Sequence, residues 1–451
     1  MNRFLIAGTG SGCGKTTMTC AILSALQMRG RQVSAFKCGP DYIDPMFHRQ
    51  VTGIPAHNLD GFFCKPATLC ELLHTRSAGC DTAVIEGVMG YFDGADGSAR
   101  HVAQITQTPA VLVIDCKGMQ ESIGAVMHGF LHYQSDSRIA GFLFNRLPLR
   151  LIPTAKRLCE EMGTGYFGCL PPHDLTFGSR HLGLVTAEEI RDLRERLDAL
   201  GTLAQEHICI DRLLALQAPD VPGEPSSLPK LSRPPVIAVA KDRAFCFHYA
   251  ENLEMLEEMG CTLRYFSPLT DPALPAADGL ILCGGYPELY AQALSENAAM
   301  RMQIRERILA GMPVIAECGG FLYLHDSIRT ERGESFPMAG IFPGEASSAG
   351  RLGRFGYITV TAHEDSLLFP KGGQLRAHEF HYWDVPDPGH ALEAVKPDGR
   401  HWPCGHVSRT MYAGFPHLYF YADPRIAERF VQACAAYGGT HGTHQTDQTC
   451  G

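Results

Sequence analysis

Residues 8–17 read GTGSGCGKTT, directly after the apolar run 4–7 and directly before the apolar helical pattern 18–28. A glycine-rich turn leading a strand into a helix points several backbone N–H groups at one spot and suits it to phosphate. Lys15 adds a positive charge there, and the Thr16 hydroxyl is placed to ligate Mg²⁺. The usual G-x-x-x-x-G-K-[ST] spacing is not met, because position 9 is Thr. Gly8 stands one residue earlier, so five residues separate it from Gly14. Gly8, Gly12, Gly14, Lys15, Thr16 and Thr17 are the expected ATP-binding residues. Such a loop works only between a strand and a helix, so it restricts the first half to an α/β fold.

The following sequence agrees with that restriction. Short apolar runs at 4–7, 33–37, 83–86, 111–115 and 139–144 alternate with helical patterns. They are nearly continuous in hydrophobicity, as strands covered on both faces should be. The alternation predicts a parallel sheet with right-handed crossovers. Residues 188–216, rich in Arg, Glu and Leu, read as one helix. Residues 217–235 are dense in proline without an apolar period and read as a linker. This places a first domain at 1–216 and a second at 236–437. The second begins a new strand–helix series at 236–240, 280–282 and 314–317 and turns strand-rich near 358–361. The polar tail 438–451 is expected to be disordered.

Carboxylates should gather where open α/β sheets bind ligands, at the carboxyl ends of their strands. Glu86 ends the run AVIE before the turn EGVMGYFDG, and Asp41 and Asp44 follow the second strand in KCGPDYIDP. With Asp93 these acids are expected on three adjacent loops. Thr16, Asp41 and Glu86 are the candidate metal-associated residues, and Tyr42, Asp44 and Asp93 are expected near phosphate and substrate.

A second chemical signal lies at 313–321, PVIAECGGF: an apolar strand, Cys318, two glycines and a helix start. That is the pattern of a nucleophile elbow, with Ala316 where glycine is commonest. His417, in AGFPHLYF, is the candidate base. The turn CGGYPELY offers the backbone N–H of Gly285, which with that of Gly319 could hold an oxyanion. His378 and His381, in HEFHYW, are one residue short of the i, i+4 spacing of a helical zinc pair, and the stretch reads as strand. A structural or substrate-facing role is therefore expected for them.

Composition narrows the partners. The chain has 451 residues, is 45% hydrophobic and carries a net charge of −9 with scattered Lys and Arg. That argues against a nucleic-acid or anionic-membrane partner. Run 4–7 meets Gly8 at once, so no signal peptide is expected and the protein should be cytoplasmic. Its seventeen cysteines include no C-x-x-C pair and are expected to stay reduced.

An ATP site can convert a carboxylate to an acyl phosphate, and a cysteine glutaminase releases ammonia through a thioester. One chain carrying both predicts amide formation from a carboxylic acid with glutamine as nitrogen donor. The motifs GTGSGCGKTT, KCGPDYIDPMFH, EGVMGYFDG, CGGYPELY, AECGGFLYL and HEFHYW, in that order, resemble the cobyrinic acid a,c-diamide synthase family of corrinoid biosynthesis. The resemblance runs from residue 1 to about 436. It implies a dethiobiotin-synthetase-like α/β domain, a class I glutaminase domain, and amidation of the c and then the a acetate of the macrocycle. It also implies Mg²⁺ and ATP, small-molecule partners (corrinoid, glutamine and ATP), and leaves a homodimer open. The usual glutaminase pattern H-x-E is absent, since Tyr419 follows His417 by two residues. The resemblance implies a Cys–His dyad and names no orienting partner for His417.

Hydrogenobyrinic acid and nickel sirohydrochlorin remain rival substrates, and cobyric acid synthase is a related enzyme. From another class, a partitioning-type ATPase switch with an inactive glutaminase-like module would carry a second lysine early in the loop. Position 10 is Gly.

Overall fold

A computed structural model describes the chain except residues 1, 176, 178, 181, 182, 185, 225–227 and 442–451. It divides into two compact units, Met1–Ser226 and Ser227–Gly451.

The first unit is a seven-stranded sheet made of β1 (Asn2–Gly8), β2 (Val33–Cys38), β3 (His57–Leu59), β4 (Thr82–Glu86), β5 (Ala110–Asp115), β6 (Ile139–Asn145) and β7 (Gly165–Leu170). Its order is β3-β2-β4-β1-β5-β6-β7, and every pairing is parallel. The five expected strands are all present. The two outer strands, β3 and β7, escape an apolar-run reading because one is HNL and the other, GYFGCL, contains two glycines. Residues 33–38 and 82–86 are buried throughout, as a doubly covered sheet requires. Helices α1 (Lys15–Met28) and α2 (Ile43–Thr52) follow β1 and β2.

The single helix expected over 188–216 is instead two, Leu193–His207 and Ile210–Leu214. The break has a local cause. Ile208 is extended and bridges Gly168 of β7, and the N–H of Cys209 donates to the Phe167 carbonyl at 2.9 Å. Of the proline-dense segment, Pro219 accepts a hydrogen bond from Arg3, and Gly223 lies against the backbone of Glu71.

The second unit is built on a six-stranded sheet. Its strands run Thr262–Phe266, Val236–Ala240, Gly279–Leu282, Val314–Glu317, Met411–Gly414 and His406–Val407, the last antiparallel and the rest parallel. A five-stranded antiparallel sheet accompanies it: His401–Cys404, Leu392–Val395, Phe355–Ala362, Gln374–Phe380 and His417–Leu418. HEFHYW is thus strand through Phe380, as its spacing suggested. The last helix, Arg425–His441, runs into the segment expected as a polar tail, and 442–451 lie outside the described residues. All described cysteines are free thiols. Among the described residues, no helix is long and apolar enough to cross a membrane.

Candidate active site

In the first unit, β2, β4 and β1 are neighbours, so the loops at their carboxyl ends share one rim. The phosphate loop leaves β1 after Gly8 and enters α1 through Gly14. Gly12 and Gly14 take positive φ values of 75° and 92°. Gly14 has a second constraint: a Cβ there would lie 2.1 Å from Nδ2 of Asn145. That amide, at the end of β6, donates to the Cys13 carbonyl at 3.0 Å and braces the loop. Lys15 is buried, which lowers its pKa, and its Nζ donates to the Gly10 carbonyl at 3.0 Å. Thr17 is half-buried in the first turn of α1.

Thr16 points toward the acidic rim, donating its hydroxyl to Oε1 of Glu86 at 2.8 Å. Glu86 is wholly buried. Its Oε1 also accepts from Lys37 Nζ at 3.0 Å, and its Oε2 lies 2.7 Å from His48 Nε2. Lys37 makes a short contact with Asp44 as well and stands 3.8 Å from Asp41. Burial alone would lower the Lys37 ammonium pKa, but Asp44, Glu86 and Asp41 outweigh it and raise it. At Glu86 burial opposes ionisation, yet Lys37 and the His48 hydrogen bond hold its pKa below the usual carboxylate range. Burial and neighbouring Asp41 push the Asp44 carboxyl up, against Lys37. A charged Lys37 facing an ionised Glu86 is the state this geometry supports, with Asp44 the carboxyl that takes up a proton first.

Asp41 caps α2, its Oδ1 accepting the N–H groups of Ile43 at 2.9 Å and Asp44 at 3.1 Å. Tyr42 is half-buried at the start of that helix. Asp93 is placed differently: it is exposed, and its Oδ2 accepts the N–H of Gly90 at 3.0 Å. Its loop is tied to the phosphate loop by the Tyr91 N–H, which donates to the Gly8 carbonyl at 2.9 Å. The four acids therefore come from the loops after β2 and β4, and the third loop of the rim is the phosphate loop itself.

Among the described residues, no three His, Cys, Asp or Glu side chains form a metal-holding group. The donors nevertheless fit Mg²⁺, which takes hard oxygen ligands and keeps several waters rather than needing an all-protein cage. Thr16 and Asp41 would face the cation. Glu86, with both oxygens already engaged, would act by holding Thr16.

In the second unit, Cys318 follows the central strand Val314–Glu317 and precedes the short helix Gly319–Tyr323. Its φ of 47° and ψ of −103° are sparsely populated for a residue with a side chain, the strain a nucleophile elbow carries. Its N–H donates to the Gly414 carbonyl at 2.8 Å, and its Sγ lies 4.0 Å from the Phe380 carbonyl. A Cβ on Gly319 would come 2.9 Å from the amide nitrogen of Gly285, so the two expected backbone donors are adjacent.

His417 reaches this site from the edge of the antiparallel sheet, in register with His378. Its ring lies over Gly284, where a Cβ would sit 2.6 Å from Cε1. Burial would lower its pKa, but the neighbouring Cys318 and Glu317 outweigh that and push it up to about 10. Nδ1 stands 3.6 Å from Oε2 of Glu317. His378 moves the other way, down to about 3, through burial and then the charge of His417. His381 stacks on Phe415 with centroids 3.8 Å apart, and its Nε2 lies 2.9 Å from Glu379 Oε1.

Lys37, His48, Asn145 and Glu317 also belong to these two sites and are not among the residues expected from the sequence. For Lys37 and Glu317 a signal existed: each is a charged residue at the carboxyl end of a largely apolar run, in VSAFK and VIAE, at the rim where ligands bind.

Residues 4–175 match the family described as the CobQ/CobB/MinD/ParA nucleotide binding domain, and residues 236–424 the CobB/CobQ-like glutamine amidotransferase domain. The cobyrinate a,c-diamide synthase of Caldanaerobacter subterraneus subsp. tengcongensis is 38% identical over 96% of this chain and 99% of its own. That of Listeria monocytogenes serotype 4b is 38% identical over 94% and 97%. That of Priestia megaterium is 35% identical over 96% and 97%. The chain belongs to the cobyrinate a,c-diamide synthase family, carbon–nitrogen ligases in which a nucleotide-binding domain is joined to a glutamine amidotransferase domain.

Proposed function

We propose that the protein amidates the a and c acetate side chains of cobyrinic acid, using ATP and glutamine, as a step of cobalamin biosynthesis. The observation that carries this reading is Cys318 in a strained elbow beside His417, in a chain that also holds a braced phosphate loop. The names of the full-length relatives support the substrate.

At the glutaminase site, His417 already holds the Cys318 proton as an imidazolium beside the thiolate, and the sulfur attacks the glutamine amide carbon. The backbone amides of Gly285 and Gly319 stabilise the oxyanion. His417 then returns the proton to the departing ammonia, leaving a glutamyl thioester that water hydrolyses to glutamate. At the other site, the loop 8–17 and Lys15 hold the ATP phosphates while a substrate carboxylate attacks the γ-phosphorus, giving an acyl phosphate and ADP. Ammonia displaces phosphate from it to form the amide. Bound Mg²⁺ supplies charge neutralisation on the phosphates. Tyr42, Asp44 and Asp93 line the substrate side of that rim.

Replacing Cys318 by Ala should abolish glutamine-driven amidation and leave ammonium-driven amidation in place, read as product amides by mass spectrometry with each macrocycle offered in turn. Loss of both activities would sink the division of labour, and amidation of hydrogenobyrinic acid alone would overturn the substrate.

A further inference from the structure

We propose that Glu317, the residue before the nucleophile, is the positioning carboxylate of His417; this rests on the glutaminase reading of Cys318. Its Oε1 accepts the backbone N–H of Leu418 at 3.0 Å, so the carboxylate is anchored to the residue beside the imidazole. Its Oε2 faces Nδ1 of His417 at 3.6 Å, with the two side chains only 12% and 2% exposed. That separation exceeds a hydrogen bond. Catalytic contacts of this kind are often long in the free enzyme and tighten when substrate binds and water leaves, because a buried imidazolium attracts the carboxylate.

Two further features single out Glu317. It ends the same strand that delivers Cys318, so nucleophile and carboxylate are carried by one rigid element. The position two residues after His417, where an H-x-E carboxylate would stand, belongs to Tyr419, whose hydroxyl is turned to Glu251 Oε1 at 2.8 Å. A carboxylate against Nδ1 keeps the proton on that nitrogen and leaves the other ring nitrogen to receive the thiol proton. Glu317 thus fills the orienting role from the strand that carries the nucleophile.

The test is Glu317→Gln in the full-length enzyme. The amide keeps an oxygen for the Leu418 N–H but offers N–H to Nδ1, which favours the tautomer unable to take the thiol proton. Glutamine-dependent kcat should fall roughly 10²-fold or more, in line with tautomer errors in other triads. KM for glutamine should stay within about threefold. Alkylation of Cys318 by iodoacetamide should slow in parallel, and Glu317→Asp should recover part of both. Ammonium-driven amidation reports the other site and should persist. Glutamine turnover by the Gln variant within about threefold of wild type overturns the proposal, as does an Asp variant no better than Gln. A loss of near-ultraviolet circular dichroism matching the loss of kcat would mean a packing role and also overturns it. Failure of Cys318→Ala to stop glutamine use would instead sink the underlying glutaminase reading.

Discussion

Placing a methyl group at Gly284 tests whether the His417 imidazole is the proposed catalytic group. Gly284 lies in a two-residue strand, and a Cβ there would come 2.6 Å from Cε1 of His417 and 3.3 Å from the Phe247 side chain. Carbon atoms in ordinary contact stand about 3.5–4.0 Å apart, so the ring must retreat by roughly 1 Å. It has little room: His417 is buried, and its strand is paired in register with Gln374–Phe380. Gly284 does not have a positive φ, so backbone strain adds nothing to the effect. Misplacing a catalytic group by about 1 Å costs on the order of 10²-fold in rate, about 2.7 kcal/mol of barrier. The accompanying overpacking should cost about 1–3 kcal/mol of stability, within what a folded protein tolerates. Gly284→Ala should therefore lower glutamine-driven amidation about 100-fold while ammonium-driven amidation stays near wild type. Parallel initial-rate assays with the two nitrogen sources and a thermal melt read all three quantities. A glutamine-driven rate within about threefold of wild type, in a folded variant, would refute the placement of His417 as the base.

Two other outcomes follow from buried charge. Lys37→Met leaves Glu86, Asp44 and Asp41 without their buried cation and should destabilise the first unit by about 3–5 kcal/mol, seen as a lower urea midpoint at pH 7. An unchanged midpoint would mean the acids are neutralised otherwise. Acid should unfold the second unit early, because burial lowers His248 and His378 to about 3 and His325 to about 4. The unfolded chain binds protons at these sites near pH 6.5 and the folded one does not, so stability falls as pH drops below that value, by roughly 2 kcal/mol per histidine at pH 5. His417, raised in the fold, works the other way: its contribution is complete below about pH 6.5 and is lost as pH rises toward 10. Circular dichroism between pH 7 and 4 would show the net loss, and a flat profile would refute it.

Much of both sites was legible because it is contiguous. The phosphate loop, the elbow and the acidic loops are each short stretches whose residues are held by one turn, and their chemistry needs no distant partner to be recognised. The strands that failed to register, β3 and β7, owe their existence to neighbours rather than to apolar runs. So does the helix break at Ile208, which exists because β7 offers a backbone bridge at Gly168. The acids of the rim were expected there, Asp41 and Glu86 toward a metal and Asp44 and Asp93 toward phosphate and substrate, whereas the lysine that pairs with Asp44 and Glu86 was not.

The sequence by itself determined the fold class and the stretches that carry the phosphate loop and the elbow at Cys318, since each is written in local order: strand, glycines, helix. Tertiary structure alone decided which groups share a site. It brought Lys37 against Glu86, 49 residues away, by making β2 and β4 neighbours. It also brought Glu317 against the backbone beside His417, 101 residues away, by setting the edge of one sheet over the end of another. Electrostatics acts through space, and in these buried sites it shifts the pKa values of Lys37, Asp44, Glu86 and His417. That coupling depends on strand order, which no local spacing encodes.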